Sequence, residues 1–148
     1  MALSQGTASL GSYLSFSSVL PSDQEAASYA ALTYVESNEE TSLGDFGGQS
    51  EVLTYNTIRN GITNKRIGST DSGQMAAEFA FVSDNAGQQL LQAAAKSKQA
   101  IAVRETLSSG DVFYYTAYVS SAVVSVGDSS AITMFKANFE ITSEIVEG

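Results

Sequence analysis

The sequence predicts a mainly β protein, made of two packed antiparallel sheets in a sandwich or half-barrel with one flanking α-helix. Two long segments near the C-terminus, 111–126 and 130–144, alternate apolar and polar residues with a period of two, well beyond the length of an average strand. Helical spacing is evident in only one stretch, 85–96. Because strands and helices do not alternate along the chain, a parallel sheet is not expected.

The two long segments predict a hairpin joined by the turn Gly127-Asp128, with one buried face and one wet face. The second segment places apolar side chains on one face and mostly polar ones on the other: Phe135, Ala137, Phe139 and Ile141 against Lys136, Asn138 and Glu140. Such a hairpin suits a sheet that lines a groove, a cavity or the wall of an assembly.

The remaining chain divides into an arm and a domain. Residues 1–27 are small and polar and are expected to form a flexible N-terminal arm, followed by a single β domain over 28–148. Further strands are predicted at 28–36, 52–58, 75–82 and 99–107, with a short pairing segment at 66–69. Turns are expected at Asn60-Gly61, at 71–73 and at 108–111. Ser83 or Asp84 is expected to cap the helix.

Composition excludes several function classes. The 148 residues include no Cys and no His, so a Ser-His triad, a Cys nucleophile and the usual zinc ligands are unavailable. We therefore expect no enzyme, no catalytic residues, no metal and no cofactor. The formal net charge of −9 disfavours binding to nucleic acid. Neither a secretion signal nor an apolar run long enough to span a membrane is evident, so no membrane-spanning segment is expected.

Two residue clusters have alternative interpretations. Tyr114, Tyr115 and Tyr118 could stack bases or sugars, but adjacent strand residues point to opposite faces and no basic groove accompanies them, which favours packing. Four acidic residues near the first strands could ligate Ca²⁺, although their spacing matches no known loop. They are Glu36, Glu39, Glu40 and Asp45.

The order of small motifs resembles one protein family. Over residues 28–148 the motifs follow in this order: ALTYVE, an acidic SLGDFGG loop, VLTYNTI, a basic turn, a DNAGQQLLQAAA helix, YYTAYVSS and a terminal ITMFKANFEIT strand ending in EIVEG. This succession resembles the tail tube protein of long-tailed, non-contractile bacteriophages. The resemblance implies a structural virion protein whose subunits close into hexameric rings, which stack into a hollow tube that conducts DNA into the host.

The same resemblance implies partners and a location. The partners would be further copies of the chain, tape-measure and tail-terminator or tail-tip proteins, and DNA in transit without specific binding. The protein would be made in the host bacterial cytoplasm and reside in the virion tail. The fold would be shared with the ring protein of type VI secretion, so a ring subunit of such a system is one alternative. A ligand-binding β-sandwich module is the other.

One face of the predicted hairpin supplies candidates for the tube lumen. Lys136, Asn138 and Glu140 lie on its polar face, and Glu78 is the polar member of the 75–82 strand. Carboxylates on a narrow wall would repel DNA across the roughly 8 Å Debye length at physiological salt. Their alternative interpretation is that of ordinary solvated strand residues.

The acidic, glycine-rich segment 37–51 is expected to be an exposed flexible loop that becomes ordered between rings. Its inter-ring candidates are Leu43, Gly44, Asp45, Phe46, Gly47 and Gly48. Arg59, Lys65 and Arg66 could meet the acidic loop of an adjacent subunit. Residues 2–20 and the tail 145–148 are expected to be either frayed ends or inter-ring contacts.

Overall fold

A computed structural model describes residues 10–37 and 39–148, which form ten strands and two helices. In chain order these are β1 (Tyr13–Ser17), α1 (Ala26–Ala30), β2 (Val35–Glu36), β3 (Glu40–Leu43), β4 (Gln49–Asn56), β5 (Thr63–Asp71), β6 (Gln74–Ala80), α2 (Ala86–Ser97), β7 (Ala100–Thr106), β8 (Val112–Ser125), β9 (Met134–Ile141) and β10 (Val146–Glu147).

The strands form two antiparallel sheets, as the sequence predicts. The larger has eight strands in the order β2-β1-β7-β8-β9-β6-β3, with β10 paired to β8, and the smaller is the β4–β5 hairpin. The long pair β8–β9 extends from Ala117 opposite Ile141 to Ser125 opposite Met134, and its register shifts once, between Val119 and Ser121. The predicted fold class is therefore confirmed.

The large sheet curls on itself rather than lying flat. Phe16 of β1 and Phe139 of β9 stack with ring centroids 5.8 Å apart, although β7 and β8 lie between their strands and neighbouring strands are about 4.8 Å apart. Near the opposite edges of the sheet, the Leu14 amide donates to Glu40 Oε1 over 3.0 Å. The concave side thus encloses the core, which is the half-barrel alternative of the prediction.

The core consists of the apolar faces of these strands together with helix α2. Its sixteen buried members are Leu14, Phe16, Met75, Ala77, Phe79, Leu91, Ala94, Ile101, Val103, Tyr115, Ala117, Val119, Phe135, Ala137, Phe139 and Ile141. The predicted alternation in β9 and β6 is confirmed, because the expected apolar residues are buried and Lys136 and Asn138 are exposed.

Helix α2 matches the predicted range 85–96 to within one residue at each end, but its cap differs from the expectation. Asn85, rather than Ser83 or Asp84, caps the helix: its side chain accepts from the Gln88 amide over 3.1 Å. Gln88 is buried and bonds back to β6 through the Ala80 carbonyl. A Cβ at Gly87 would stand 2.9 Å from the Cα of Ser37, so glycine permits the close approach of the helix to the end of β2.

The strand predicted over 28–36 is wrong for its first half. Residues Ala26–Ala30 form helix α1, which begins after Asp23 accepts hydrogen bonds from the Glu25 amide and the Ser28 hydroxyl. Tyr29 is fully buried and stacks on Tyr114 with centroids 5.5 Å apart. The helix covers the convex side of the sheet at this point, and only β2 of the predicted strand remains.

The expected N-terminal arm contains a structural strand. β1 pairs with both β2 and β7, and Leu14 and Phe16 are fully buried in the core. This contradicts a flexible arm over 13–17, because two apolar side chains at alternate positions suffice to hold a short strand in a curled sheet. Residues 1–9 of the predicted arm lie outside the described residues.

Candidate functional site

The polar face of β6 and β9 brings together all four candidate lumen residues. The register sets Glu78 opposite Lys136, Ala76 opposite Asn138, and Gln74 opposite Glu140. The amide of Asn138 donates to Ser121 Oγ of β8 over 3.0 Å. These side chains therefore form one continuous convex surface, here called the polar face.

Charge on the polar face is unevenly compensated. Lys136 Nζ lies 3.8 Å from Glu78 Oε1, with both side chains about half exposed, so the pair adds little stability but reduces the local charge of Glu78. The Glu140 carboxylate accepts from the Gln74 amide and forms no ion pair with a described residue. Glu140 is therefore the acid on this face whose charge remains uncompensated.

The β4–β5 hairpin is a second exposed surface. All but one residue of β4 through Ile62 are exposed, and the hairpin makes no extensive contact with another described helix or strand. Its register places Val52 and Ile67 on one face and Leu53 on the other. Bulky apolar side chains with high exposure occur on both faces and at the tip: Val52, Leu53, Tyr55, Ile58, Ile62 and Ile67.

The three predicted basic candidates all lie on this hairpin. Arg59 is in the turn between the strands, while Lys65 and Arg66 are neighbours in β5, so their side chains point to opposite faces. All three are exposed, and none forms an ion pair with a described residue. Each is therefore free to bind an anion outside its own chain.

The predicted loop 37–51 is more ordered than expected. Part of it forms β3, which pairs with β6, and β4 begins at Gln49. Phe46 packs against Phe113 with ring centroids 5.1 Å apart and against Tyr115 at 6.2 Å. Leu43 also packs against the core. The two apolar side chains thus have partners in their own chain, whereas Asp45, Gly47 and Gly48 are exposed.

Gly44 provides a close backbone contact within the chain. Its amide donates to the Ala76 carbonyl over 2.7 Å, and a Cβ at this position would stand 2.5 Å from that oxygen. Any larger residue would push β3 away from β6. The sequence assigned Gly44 to a contact between rings, whereas the partner found here is the chain's own β6.

Glu105 was not singled out from the sequence. It lies on the same face of β7 as the buried Ile101 and Val103, and it is only 3% exposed. Its Oε2 atom has no hydrogen-bond partner among the described residues, and burial raises the pKa of Glu105 to about 7. The signal that could have found it is a charged residue at an apolar position of a strand.

Two of the three clustered tyrosines pack as expected, whereas Tyr118 is exposed. Tyr115 lies in the main core, and Tyr114 lies on the opposite side with Tyr29 and Ala102. The guanidinium carbon of Arg104 lies 4.5 Å from the ring centroid of Tyr34. Burial, assisted by the neighbouring Tyr114, raises the pKa of Tyr34 to about 12.

The described residues contain no cluster of three or more acidic side chains placed to hold a metal ion. Over the same residues, no helix combines the length and apolarity required to cross a membrane.

Solved structures share this fold at low sequence identity. The sheath/tube terminator of an extracellular contractile injection system, PVC, superposes with a TM-score of 0.67 at 12% identity, over 99% of both chains. The SPP1 tail tube gives 0.64 at 14% identity, over 97% of this chain and 79% of that one. The tube-terminating cap of the anti-feeding prophage gives 0.65 at 11% identity, over 100% and 94%. No curated protein matches by sequence.

These likenesses define the fold as one found in tail tubes and tube terminators. Residues 15–145 match the family described as phage tail tube protein, TTP. The chain therefore belongs to the phage tail tube protein family, which confirms the resemblance seen in the sequence. It is a structural component of a virion tail, and the members of this class are structural proteins rather than enzymes.

Proposed function

We propose that this chain self-assembles into hexameric rings, which stack into the hollow tail tube through which DNA passes into the host. Family membership supports a tube subunit. The observation that carries the proposal is the β4–β5 hairpin, because a two-stranded hairpin without a packed face is at best marginally stable in water. A neighbouring copy that covers it would bury the apolar side chains now exposed on both of its faces.

The polar face lines the lumen in this proposal. Copies of β6 and β9 around a ring would present Glu78, Lys136, Asn138 and Glu140 to the bore while their apolar faces stay in each subunit's core. Every copy repeats the uncompensated Glu140 around the circle. DNA is then repelled from the wall and moves along the axis without specific binding.

The hairpin and the segment after β3 form the contact between rings. With eight residues in β4, at a rise of about 3.3 Å per residue, the hairpin extends about 26 Å. Arg59, Lys65 and Arg66 give it a basic character in an acidic chain. The exposed Asp45, Gly47 and Gly48 contribute to this contact, whereas Leu43 and Phe46 support it from within the subunit.

The ends of the tube require further partners. We propose that tail-terminator or tail-tip proteins bind its two ends and that a tape-measure protein occupies the bore during assembly. The subunit is made in the host bacterial cytoplasm. The tail 145–148, where β10 pairs with β8, is held within the subunit and would contact the next ring only through its outer edge.

Negative-stain microscopy of the purified protein tests the proposal, at increasing concentration and with a tail-tip complex added as a nucleus. Hollow tubes or six-fold rings are the expected result. A protein that stays monomeric under every condition would contradict self-assembly. Rings that never stack would favour the secretion-ring alternative, and a monomer that binds a glycan would favour the ligand-binding module.

A further inference from the structure

An acidic recess lies where β1, β3 and β7 approach one another. It has a volume of about 470 Å³ and is lined by the segment 40–45, which includes β3, and by Ser12, Glu105 and Leu107. Three acidic residues thus line one concavity, hereafter the acidic recess.

Glu105 is the buried member of the acidic recess, and one of its carboxylate oxygens has no hydrogen-bond partner among the described residues. Glu40 accepts from the Leu14 amide and from the Ser37 hydroxyl. Glu105, at 3% exposure, leaves Oε2 without a hydrogen bond, and its strand neighbours across the sheet are Leu14 and Phe113. A buried carboxyl without a donor is destabilising and therefore calls for an explanation, which a bound cationic group would supply.

The chemistry of the acidic recess favours an organic cation over a metal. The described carboxylates form no cluster suited to a metal ion. A guanidinium is planar, permanently charged and carries five N–H donors, so one such group can satisfy both oxygens of a carboxylate.

The chain itself offers that group. Of its seven basic residues, Lys136 pairs with Glu78 and Arg104 lies over Tyr34. Arg59 and Arg66 are both exposed arginines without an ion pair among the described residues, and of these two Arg59 stands at the tip of the β4–β5 hairpin. It is flanked by the exposed Ile58, which can exclude water from the rim once docked.

We propose that the acidic recess of one subunit receives the hairpin tip of a second copy, with the Arg59 guanidinium paired to Glu105. This inference rests on the proposed function, since it names the contact by which identical copies join. The pair fixes the register of the contact, because a hairpin shifted along the surface leaves both Glu105 and Arg59 unpaired. The apolar hairpin side chains provide most of the buried area around it.

Removing the charge of each partner tests the pair. Arg59→Gln and Glu105→Gln are each expected to raise the critical concentration for assembly about tenfold, measured by sedimentation, because each leaves one charge of the pair buried alone. The critical concentration of the double variant should be no higher than that of the single variant that assembles less readily, since the two changes remove one interaction. Lys96→Gln and Glu25→Gln make the same charge changes at exposed positions and should assemble like the wild type.

Cross-linking locates the contact independently of affinity. The chain has no cysteine, so a variant carrying Arg59→Cys and Ser42→Cys can form only engineered disulfides. Oxidation should give covalently linked multimers in the assembled state and monomers below the critical concentration. Absence of linked multimers from assembled material would place the hairpin tip elsewhere.

The outcomes separate this inference from the proposed function. If the wild type assembles and Glu105→Gln assembles equally well, the pair is wrong while the tube remains. Additive losses in the double variant would also overturn the pairing. Ca²⁺ binding by the isolated subunit that is lost in Glu105→Gln would assign the recess to a metal. A wild type that never assembles would overturn both proposals.

Discussion

At the residue scale, Glu105 gives the subunit an unusual dependence on pH. Burial raises the pKa of its carboxyl from the ordinary value of 4.5 to about 7 in the folded chain. Between these two values the folded state holds a proton that the unfolded state has released. Stability contributed by this group is therefore lost as pH rises through that window.

The melting temperature of the unassembled subunit should consequently fall from about pH 5 to about pH 8 relative to that of Glu105→Gln, which cannot titrate there. Circular dichroism melts of both proteins at each pH measure the difference. Parallel profiles would show that the Glu105 carboxyl is solvated in solution.

Phe46 illustrates a side chain whose partner the sequence misassigned. From the sequence it was expected to dock on a neighbouring ring, with no role in the subunit's own stability. Its ring instead packs against Phe113 and Tyr115. Phe46→Ala should thus lower the free energy of unfolding by about 2 kcal/mol, less than for a fully buried Phe, because the ring is partly exposed.

Urea denaturation of the subunit checks this value. Ile58→Ala removes an equally apolar but fully exposed side chain and should change the free energy of unfolding by less than about 0.5 kcal/mol. Unchanged stability in Phe46→Ala would restore the original expectation that this side chain serves only the contact between rings.

At the scale of elements, long strands and helices with a regular period can be predicted from the sequence, and short ones cannot. In the strands β6, β8 and β9 and in helix α2, the apolar residues recur over enough positions to define a period of two or of 3.6 residues. β1 offers only Leu14 and Phe16 within a polar segment, and these depend on a curled sheet that no local pattern encodes. Likewise, Tyr29 is buried by packing on Tyr114, which a strand pattern over alanines could not indicate.

The candidate site was predicted in part. The four residues of the polar face were found because they alternate with core residues. β4 was predicted a few residues too late, at 52–58, and β5 was predicted only as a short pairing segment at 66–69. Their isolation from the rest of the fold was not predicted, since apolar residues on both faces resemble those of a buried strand. Glu105 was missed because its significance depends on the lack of a partner in three dimensions.

The hairpin should be dispensable for the fold and necessary for assembly. Ile67→Asp places a charge on its exposed face and should leave the melting temperature of the subunit nearly unchanged while preventing tubes from forming. Light scattering and melting curves measure the two effects. Thr33→Asp, at an exposed position between α1 and β2, supplies the charge control, and tubes of normal yield from Ile67→Asp would refute the hairpin contact.

At the scale of the whole molecule, the charge of the bore determines whether DNA binds to the tube. The chain carries a formal net charge of −9, but only charges on the bore act on DNA at short range. Glu140→Lys exchanges the uncompensated acid of the polar face for a base. Tubes of this variant should retain an added oligonucleotide about tenfold more at low salt and release it at high salt.

The fraction of a labelled oligonucleotide that sediments with the tubes measures this effect. Glu36→Lys makes the same charge change on β2, away from the polar face, and should leave retention at the wild-type level. Equal retention by both variants would indicate that net charge, not the bore, controls DNA binding.

Electron cryomicroscopy of the assembled protein shows which strands line the bore and where the hairpin lies. It should show closed rings in which β6 and β9 of every copy line the bore, with Glu140 facing the axis and the β4–β5 hairpin seated on another copy. A map in which Glu78 and Glu140 lie on the outer surface and the bore is basic would contradict it.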